Sequence, residues 1–88
     1  MKYKIMIPKK VVKGLDKLPD FVSDKFVKLV DDLTEKGPIQ ANWPNFSKLG
    51  KNRYHCHLYK SWVASWKFEK KTIIIEVEYV GSREKAPY

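Results

Sequence analysis

Two histidines separated by one residue, His55 and His57, lie in the run Arg53-Tyr54-His55-Cys56-His57-Leu58, and a guanidinium and a phenol follow at Arg83 and Tyr88. Imidazole is the side chain whose ordinary pKa lies nearest neutrality, so one ring can take a proton while another gives one. In an extended chain, residues two apart share a face with their rings about 7 Å apart, enough to reach both the attacking and the leaving side of a phosphodiester. A guanidinium can hold a phosphate and offset the charge that builds on it during reaction. A phenol can stack beneath a base or donate a proton. Together the four groups suit metal-free cleavage of RNA. Each also has a plainer reading: two polar residues on a wet sheet face, a solvated arginine and a terminal aromatic residue.

Other side chains bear on the same region. A His-x-His pair can bind a metal, but that needs third and fourth ligands, and Cys56 points to the opposite face. Glu76 and Glu78 fall on the histidine side if the strand alternation holds, where a carboxylate would raise an imidazole's pKa and fix its tautomer. Glu78 is the candidate supporting group, and solvated strand carboxylates are the alternative. Lys48, Lys51, Arg53, Lys60 and Lys67 are placed to contact phosphates as positioning groups. Trp62 and Trp66 read as strand-packing residues.

The elements that must position these groups follow from hydrophobic periodicity. Tyr3, Ile5 and Ile7 mark a first strand over residues 2–7. Pro8 fits the start of a short helix carrying Val11, Val12, Leu15 and Leu18. Pro19-Asp20 breaks it and caps a second helix, whose Val22, Phe26, Leu29, Val30 and Leu33 form one apolar stripe. Gly37-Pro38 ends that helix. Residues 38–52 have loop composition, with Trp43 and Phe46 tucked against the domain. From Arg53 the period is two. Tyr54, Cys56 and Leu58 face one way, and Arg53, His55, His57 and Tyr59 the other. Trp62, Ala64, Trp66 and Phe68 form the inner side of the next strand, and Ile73, Ile75, Val77 and Tyr79 that of the last. Short connections at Lys60-Ser61 and Lys70-Lys71 imply successive hairpins. The expected fold is α+β, β-α-α-β-β-β: an antiparallel sheet with a helical hairpin on one face and the other face open to solvent. Gly81 would permit the sharp turn that folds Arg83 back over that open face.

Length and charge bound the rest. Eighty-eight residues make one domain, residues 1–88. At 43% hydrophobic and 14% aromatic residues there is enough apolar material to argue against disorder. The single cysteine allows no internal disulfide, and a reducing, cytoplasmic setting fits. No apolar run approaches the roughly 20 residues that span a bilayer, so no membrane partner is expected. The net charge is +8 and unevenly spread. Residues 1–18 carry six lysines against one aspartate, residues 19–37 are net acidic, and residues 38–88 carry nine basic against four acidic side chains. A polyanion could bind the basic ends, with affinity that falls as salt rises.

The order β-α-α-β-β-β resembles the RelE/ParE toxin superfamily, and specifically its RelE-like ribosome-dependent mRNA interferases. The resemblance covers nearly the whole chain. It is carried by Gly37-Pro38, by Trp43-Pro44-Asn45-Phe46-Ser47-Lys48-Leu49, by Tyr54-His55-Cys56-His57-Leu58, and by Tyr79-Val80-Gly81-Ser82-Arg83-Glu84-Lys85-Ala86-Pro87-Tyr88. In relatives the strand of His55 and His57 often bears two catalytic lysines, whose places the histidines would take. Arg83 matches a basic catalytic group after the Val-Gly of the last strand, and Tyr88 a tyrosine that stacks on the substrate base or assists chemistry. One departure concerns an arginine that relatives carry early in the third strand, where Val63 stands here; one phosphate-binding charge is then either missing or supplied by Lys51 or Arg53. Exchanging lysine for histidine also makes activity more pH-dependent.

The resemblance implies a toxin of a type II toxin–antitoxin system: an endoribonuclease that needs no metal or cofactor, cleaves mRNA on the ribosome by 2′-hydroxyl attack, and is held by a cognate antitoxin protein. The alternative on the same scaffold is a non-catalytic ParE-like inhibitor of DNA gyrase, which needs no acid/base set. A plain RNA-binding module is the third.

Overall fold

The computed structural model describes residues 2–88. In chain order the elements are β1 (Lys4–Met6), α1 (Lys9–Leu15), α2 (Asp20–Lys36), β2 (Ser47–Gly50), β3 (Arg53–Tyr59), β4 (Trp62–Phe68), β5 (Ile74–Ser82) and a 3-10 turn (Arg83–Lys85). The strands form one sheet in the order β1-β5-β4-β3-β2. β1 runs parallel to β5, and every other pairing is antiparallel. The expected α+β class, with a helical pair on one face of the sheet, is what the chain adopts.

α2 forms because its apolar residues recur on one side. Val22, Phe26, Leu29 and Leu33 are buried, while the lysines and aspartates between them stay outside. Its start lacks a side-chain cap: Pro19 occupies the cap position, and Asp20 is the first helical residue, where its negative charge favours the positive end of the helix. Its end is fixed at Gly37, with φ at 91° and the Tyr3 ring 2.8 Å from where a Cβ would sit. A side chain there would meet both strain and a clash, so glycine alone fits.

The stripe of α2 packs on Cys56, Leu58, Ala64, Trp66, Ile75 and Val77 to make the core. Trp66 is fully buried, and its indole N–H donates to the Pro38 carbonyl at 3.0 Å, so the polar end of the largest core residue is satisfied. Residues 38–46 are held down as expected. Phe46 stacks on Tyr54 and Trp66 with ring centroids 5.7 and 6.1 Å apart. Gln40 donates to the Gly37 carbonyl at 2.8 Å, and the Trp43 indole donates to the Asp32 carboxylate at 2.9 Å. A half-buried hydrogen bond to a charged acceptor stabilises by roughly 1–2 kcal/mol, so Asp32→Ala should lower stability by that amount in a urea titration. A loss below about 0.3 kcal/mol would mean that the aromatic stack alone holds the segment.

Four expectations need correction. The segment expected to be all loop contains the short edge strand β2, paired to β3 with Ser47 opposite His55. β5 carries a bulge: Ser65 pairs with Tyr79 but Trp66 with Val77, which skips Glu78. The extra residue reverses the alternation beyond it, so Val80 enters the core instead of Tyr79. Ile73, expected on the inner side of β5, lies before the strand and is exposed. The second face of the sheet is not open throughout either, since Val63 and Ser65 of β4 are both buried. Ser65 shares a hollow with Arg53, Glu78, Pro87 and Tyr88, so the chain's own tail roofs that part of the sheet.

Candidate active site

β3 turns His55 and His57 to the face away from the helices, with ring centroids 6.4 Å apart. Cys56 between them is fully buried on the other face, and burial pushes its thiol up to about 12, so it is a core residue and not a nucleophile. The edge of β3 is closed by β2 and by the turn before it: the His57 amide donates to the Pro44 carbonyl at 2.8 Å, and Ser47 lies across from His55.

The other wall comes from the segment after β5. Gly81 is extended backbone within the strand, not a turn; its lack of a side chain makes room for the Tyr79 ring, whose hydroxyl lies 2.6 Å from the place of a Cβ and donates to the Ser82 carbonyl. The Arg83 amide then donates to the Ser61 carbonyl at 2.6 Å, tying the 3-10 turn to the β3–β4 hairpin. This turn sends the tail back over the sheet, and Tyr88 reaches His55 with ring centroids 5.0 Å apart. The result is a cleft of about 450 Å³ lined by Asn45, Ser47, His55, His57, Arg83 and Tyr88.

The two imidazoles differ in surroundings. Nδ1 of His57 donates to the Lys60 carbonyl at 2.7 Å; a carbonyl only accepts, so the proton sits on Nδ1 and Nε2 remains for a ligand. His55 has Nε2 against the Ser47 hydroxyl at 2.5 Å, and its Nδ1 is buried without a partner. Its pKa is lowered, first by burial and then by the like charge of His57, so the neutral ring is favoured. Tyr88 is 49% exposed, yet its phenol is pushed up to about 12, chiefly by burial of the part against the sheet, with Arg83 pulling the other way. It stays protonated at neutral pH, as a donor or stacking surface.

The expected phosphate contacts divide. Lys51 and Arg53 line the neighbouring hollow, which shares Tyr88 with the cleft. Arg53 is not free there. Its guanidinium donates twice to the Glu78 carboxylate, at 2.9 and 3.0 Å. Glu78 therefore braces Arg53 and not a histidine. Lys48 pairs with Tyr54 in the β2–β3 register and so shares the face of Tyr54, opposite to the histidines. The Lys60 ammonium lies 5.3 Å from the centre of the Tyr59 ring, and only its backbone carbonyl serves the site. Val63 lies directly across from His57 and is buried.

Two lining residues escaped sequence reasoning, Asn45 and Ser47. Their side chains carry hydrogen-bonding groups, but only the pairing of β2 with β3 brings them beside the histidines. Among the described residues no three His, Cys, Asp or Glu side chains converge to hold a metal ion, and no helix is long and apolar enough to cross a membrane.

Several solved structures share this architecture. A chain of the archaeal RelE–RelB complex from Pyrococcus horikoshii OT3 is similar with a TM-score of 0.76 and 21% identity, over 98% of this chain and 100% of that one. The E. coli toxin RelE, as a double arginine-to-alanine mutant in the free state, has a TM-score of 0.75 at 21% identity, over 98% of this chain and 88% of that one. A chain of the YoeB–YefM complex from Staphylococcus aureus has a TM-score of 0.69 at 9% identity, over 92% and 97%. No family model matches the sequence, and no curated protein is significantly similar to it. The chain has the RelE-like toxin fold.

Proposed function

We propose that this chain is the toxin of a toxin–antitoxin pair and acts as a metal-independent endoribonuclease, cleaving mRNA in the decoding site of the ribosome and so blocking translation in the cytoplasm. One observation carries the reading: His55, His57, Arg83 and Tyr88, from β3 and from the segment after β5, line the same cleft. A binding protein needs no acid/base set, whereas a phosphodiester transfer uses a base, an acid and a group that offsets charge, and these side chains can fill all three roles.

In the proposed reaction His55 is the base, because its surroundings favour the neutral ring. A ribose 2′-hydroxyl gives up its proton, and its oxygen attacks the adjacent phosphorus in line. Arg83 offsets the charge on the phosphoryl oxygens. His57, oriented by the Lys60 carbonyl, presents a protonated Nε2 to the leaving 5′-oxygen. Tyr88 stacks on a base or donates a hydrogen bond. The products are a 2′,3′-cyclic phosphate and a 5′-hydroxyl. A positioned base and a positioned acid each contribute about 10²–10⁴-fold, and the ribosome supplies the alignment of the mRNA. The cognate antitoxin would wrap the basic surface and cover the cleft or displace Tyr88.

Induced expression should stop growth and produce new 5′-hydroxyl ends within translated messages, with Arg83→Ala silent. Intact mRNA together with trapped DNA–gyrase complexes would overturn the assignment in favour of a gyrase inhibitor.

Glu78 sets how strongly the neighbouring hollow attracts RNA, since it neutralises Arg53. Glu78→Gln should release the guanidinium to a phosphate and steepen the salt dependence of single-stranded RNA binding by up to about 0.7 in the log–log slope. An unchanged slope would mean that RNA does not reach Arg53.

A further inference from the structure

The proton traffic of His55 has one outlet. Nδ1 is buried and unpartnered, so no substrate atom reaches it. Nε2 is the remaining nitrogen, and the Ser47 hydroxyl sits on it at 2.5 Å. The pairing is built into the backbone: β2 and β3 place Ser47 directly opposite His55, and the His57 amide holds the turn before β2 by its bond to Pro44. Ser47 itself is exposed and lines the cleft with His57, Arg83 and Tyr88. A ligand in the cleft therefore meets the Ser47 oxygen before the His55 nitrogen.

We propose that Ser47 is a catalytic residue of this site, a hydroxyl relay through which His55 draws the proton from the substrate's 2′-hydroxyl. This rests on the endoribonuclease reading above. The 2′-O–H bond breaks and its proton passes to Ser47 Oγ as the serine's own proton passes to His55 Nε2. The 2′-oxygen forms its bond to phosphorus, the bond from phosphorus to the 5′-oxygen breaks, and that oxygen takes the proton from His57 Nε2. No proton or electron pair is left over: His55 ends protonated, His57 neutral and Ser47 unchanged, and exchange with solvent resets both rings.

The chemistry is consistent with the site's charges. The titratable or charged side chains around His55 are His57 on the same strand, Arg83 in the 3-10 turn and Tyr88 on the tail; Ser65 of β4 pairs across from it, and none of the side chains lining the cleft is a carboxylate. No carboxylate side chain of the lining competes for the imidazole, and the Ser47 hydroxyl is the hydrogen-bond partner of its Nε2. A two-step hand-over also fits the position of Ser47, which is exposed on the edge strand β2 while His55 is half-buried on β3. With the proton on Nδ1, the neutral ring accepts the serine's hydrogen, which is the arrangement the relay starts from.

The test compares single-turnover cleavage of mRNA on programmed ribosomes by the wild-type chain and by Ser47→Ala, Ser47→Thr, His55→Ala, the double variant Ser47→Ala/His55→Ala and Arg83→Ala. Ser47 is exposed, so its replacement by alanine or threonine leaves the core untouched. The relay predicts a fall of about 10²-fold for Ser47→Ala, the scale of a positioned base. It also predicts no further fall in the double variant, because the two groups act as one unit, and recovery in Ser47→Thr, which restores the hydroxyl. A Ser47→Ala rate within about threefold of wild type, losses that multiply in the double variant, or a threonine variant as slow as the alanine one would each overturn the relay. If any of these occurs while wild type cleaves and Arg83→Ala does not, the relay falls and the endoribonuclease reading stands. If wild type leaves the mRNA intact, the reading falls and the relay with it.

Discussion

Replacing Arg83 with alanine is expected to slow cleavage of ribosome-bound mRNA by about 10²–10³-fold, the cost of removing one group that stabilises charge at the reacting centre. The side chain is exposed, and its backbone amide, not its guanidinium, anchors the tail to Ser61. The variant should therefore melt like wild type and keep Tyr88 in place. The loss should fall on kcat more than on ribosome affinity, because the charge that Arg83 meets grows only as the phosphorus is attacked. Lysine should recover part of the rate, since it supplies charge but not the planar fork. Full activity in Arg83→Ala would remove the guanidinium from the mechanism.

The larger effect is expected from removing both rings. With base and acid each contributing about 10²–10⁴-fold, His55→Ala/His57→Ala should lose at least about 10⁴-fold. The sum need not be additive, since both rings serve one proton-transfer cycle. The pH profile separates them. A base must be neutral to act, and burial, then the charge of His57, lowers the pKa of His55 below the ordinary 6.5. The acid limb set by His55 should therefore lie below that value, with base function retained as pH falls toward it and lost only beyond. In His57→Ala the like charge is gone, and the limb should move upward. Single-turnover rates between about pH 5 and about pH 8 would show it. A limb at or above the ordinary imidazole value would contradict the neutral-base assignment. The sign for stability is the same: the folded state binds the His55 proton less readily than the unfolded chain, so this contribution is present above the ordinary value and lost as pH drops through the lowered one.

Much of this site can be read from residue order, because period and burial coincide where elements are long. The stripe from Val22 to Leu33 and the alternation of Tyr54, Cys56 and Leu58 with the histidines each have several residues that agree. β2 has no such pattern. All four of its residues are exposed, so nothing in Ser47-Lys48-Leu49-Gly50 distinguishes a strand from a loop or marks Ser47 as a site residue. The bulge at Glu78 was equally silent: Tyr79 and Val80 are both apolar enough for the inner face, and only the pairing with Ser65 decides which enters. The course of the tail depends on one backbone bond to Ser61 and a three-residue turn, which no periodicity records. The partner of Glu78 depends on strand order, since Arg53 and Glu78 lie on strands that flank β4.

The parallel pair formed by β1 and β5 has a consequence for the protein's synthesis. Lys4 sits beside Ile74, so β1 cannot join the sheet until β5, some seventy residues later, has left the machine that makes it. Arg83 and Tyr88 emerge later still. Contacts between such distant parts of a chain also form slowly. A nuclease aimed at translating ribosomes would thus stay harmless as a nascent chain until the residues of β5 and those that follow it have been made.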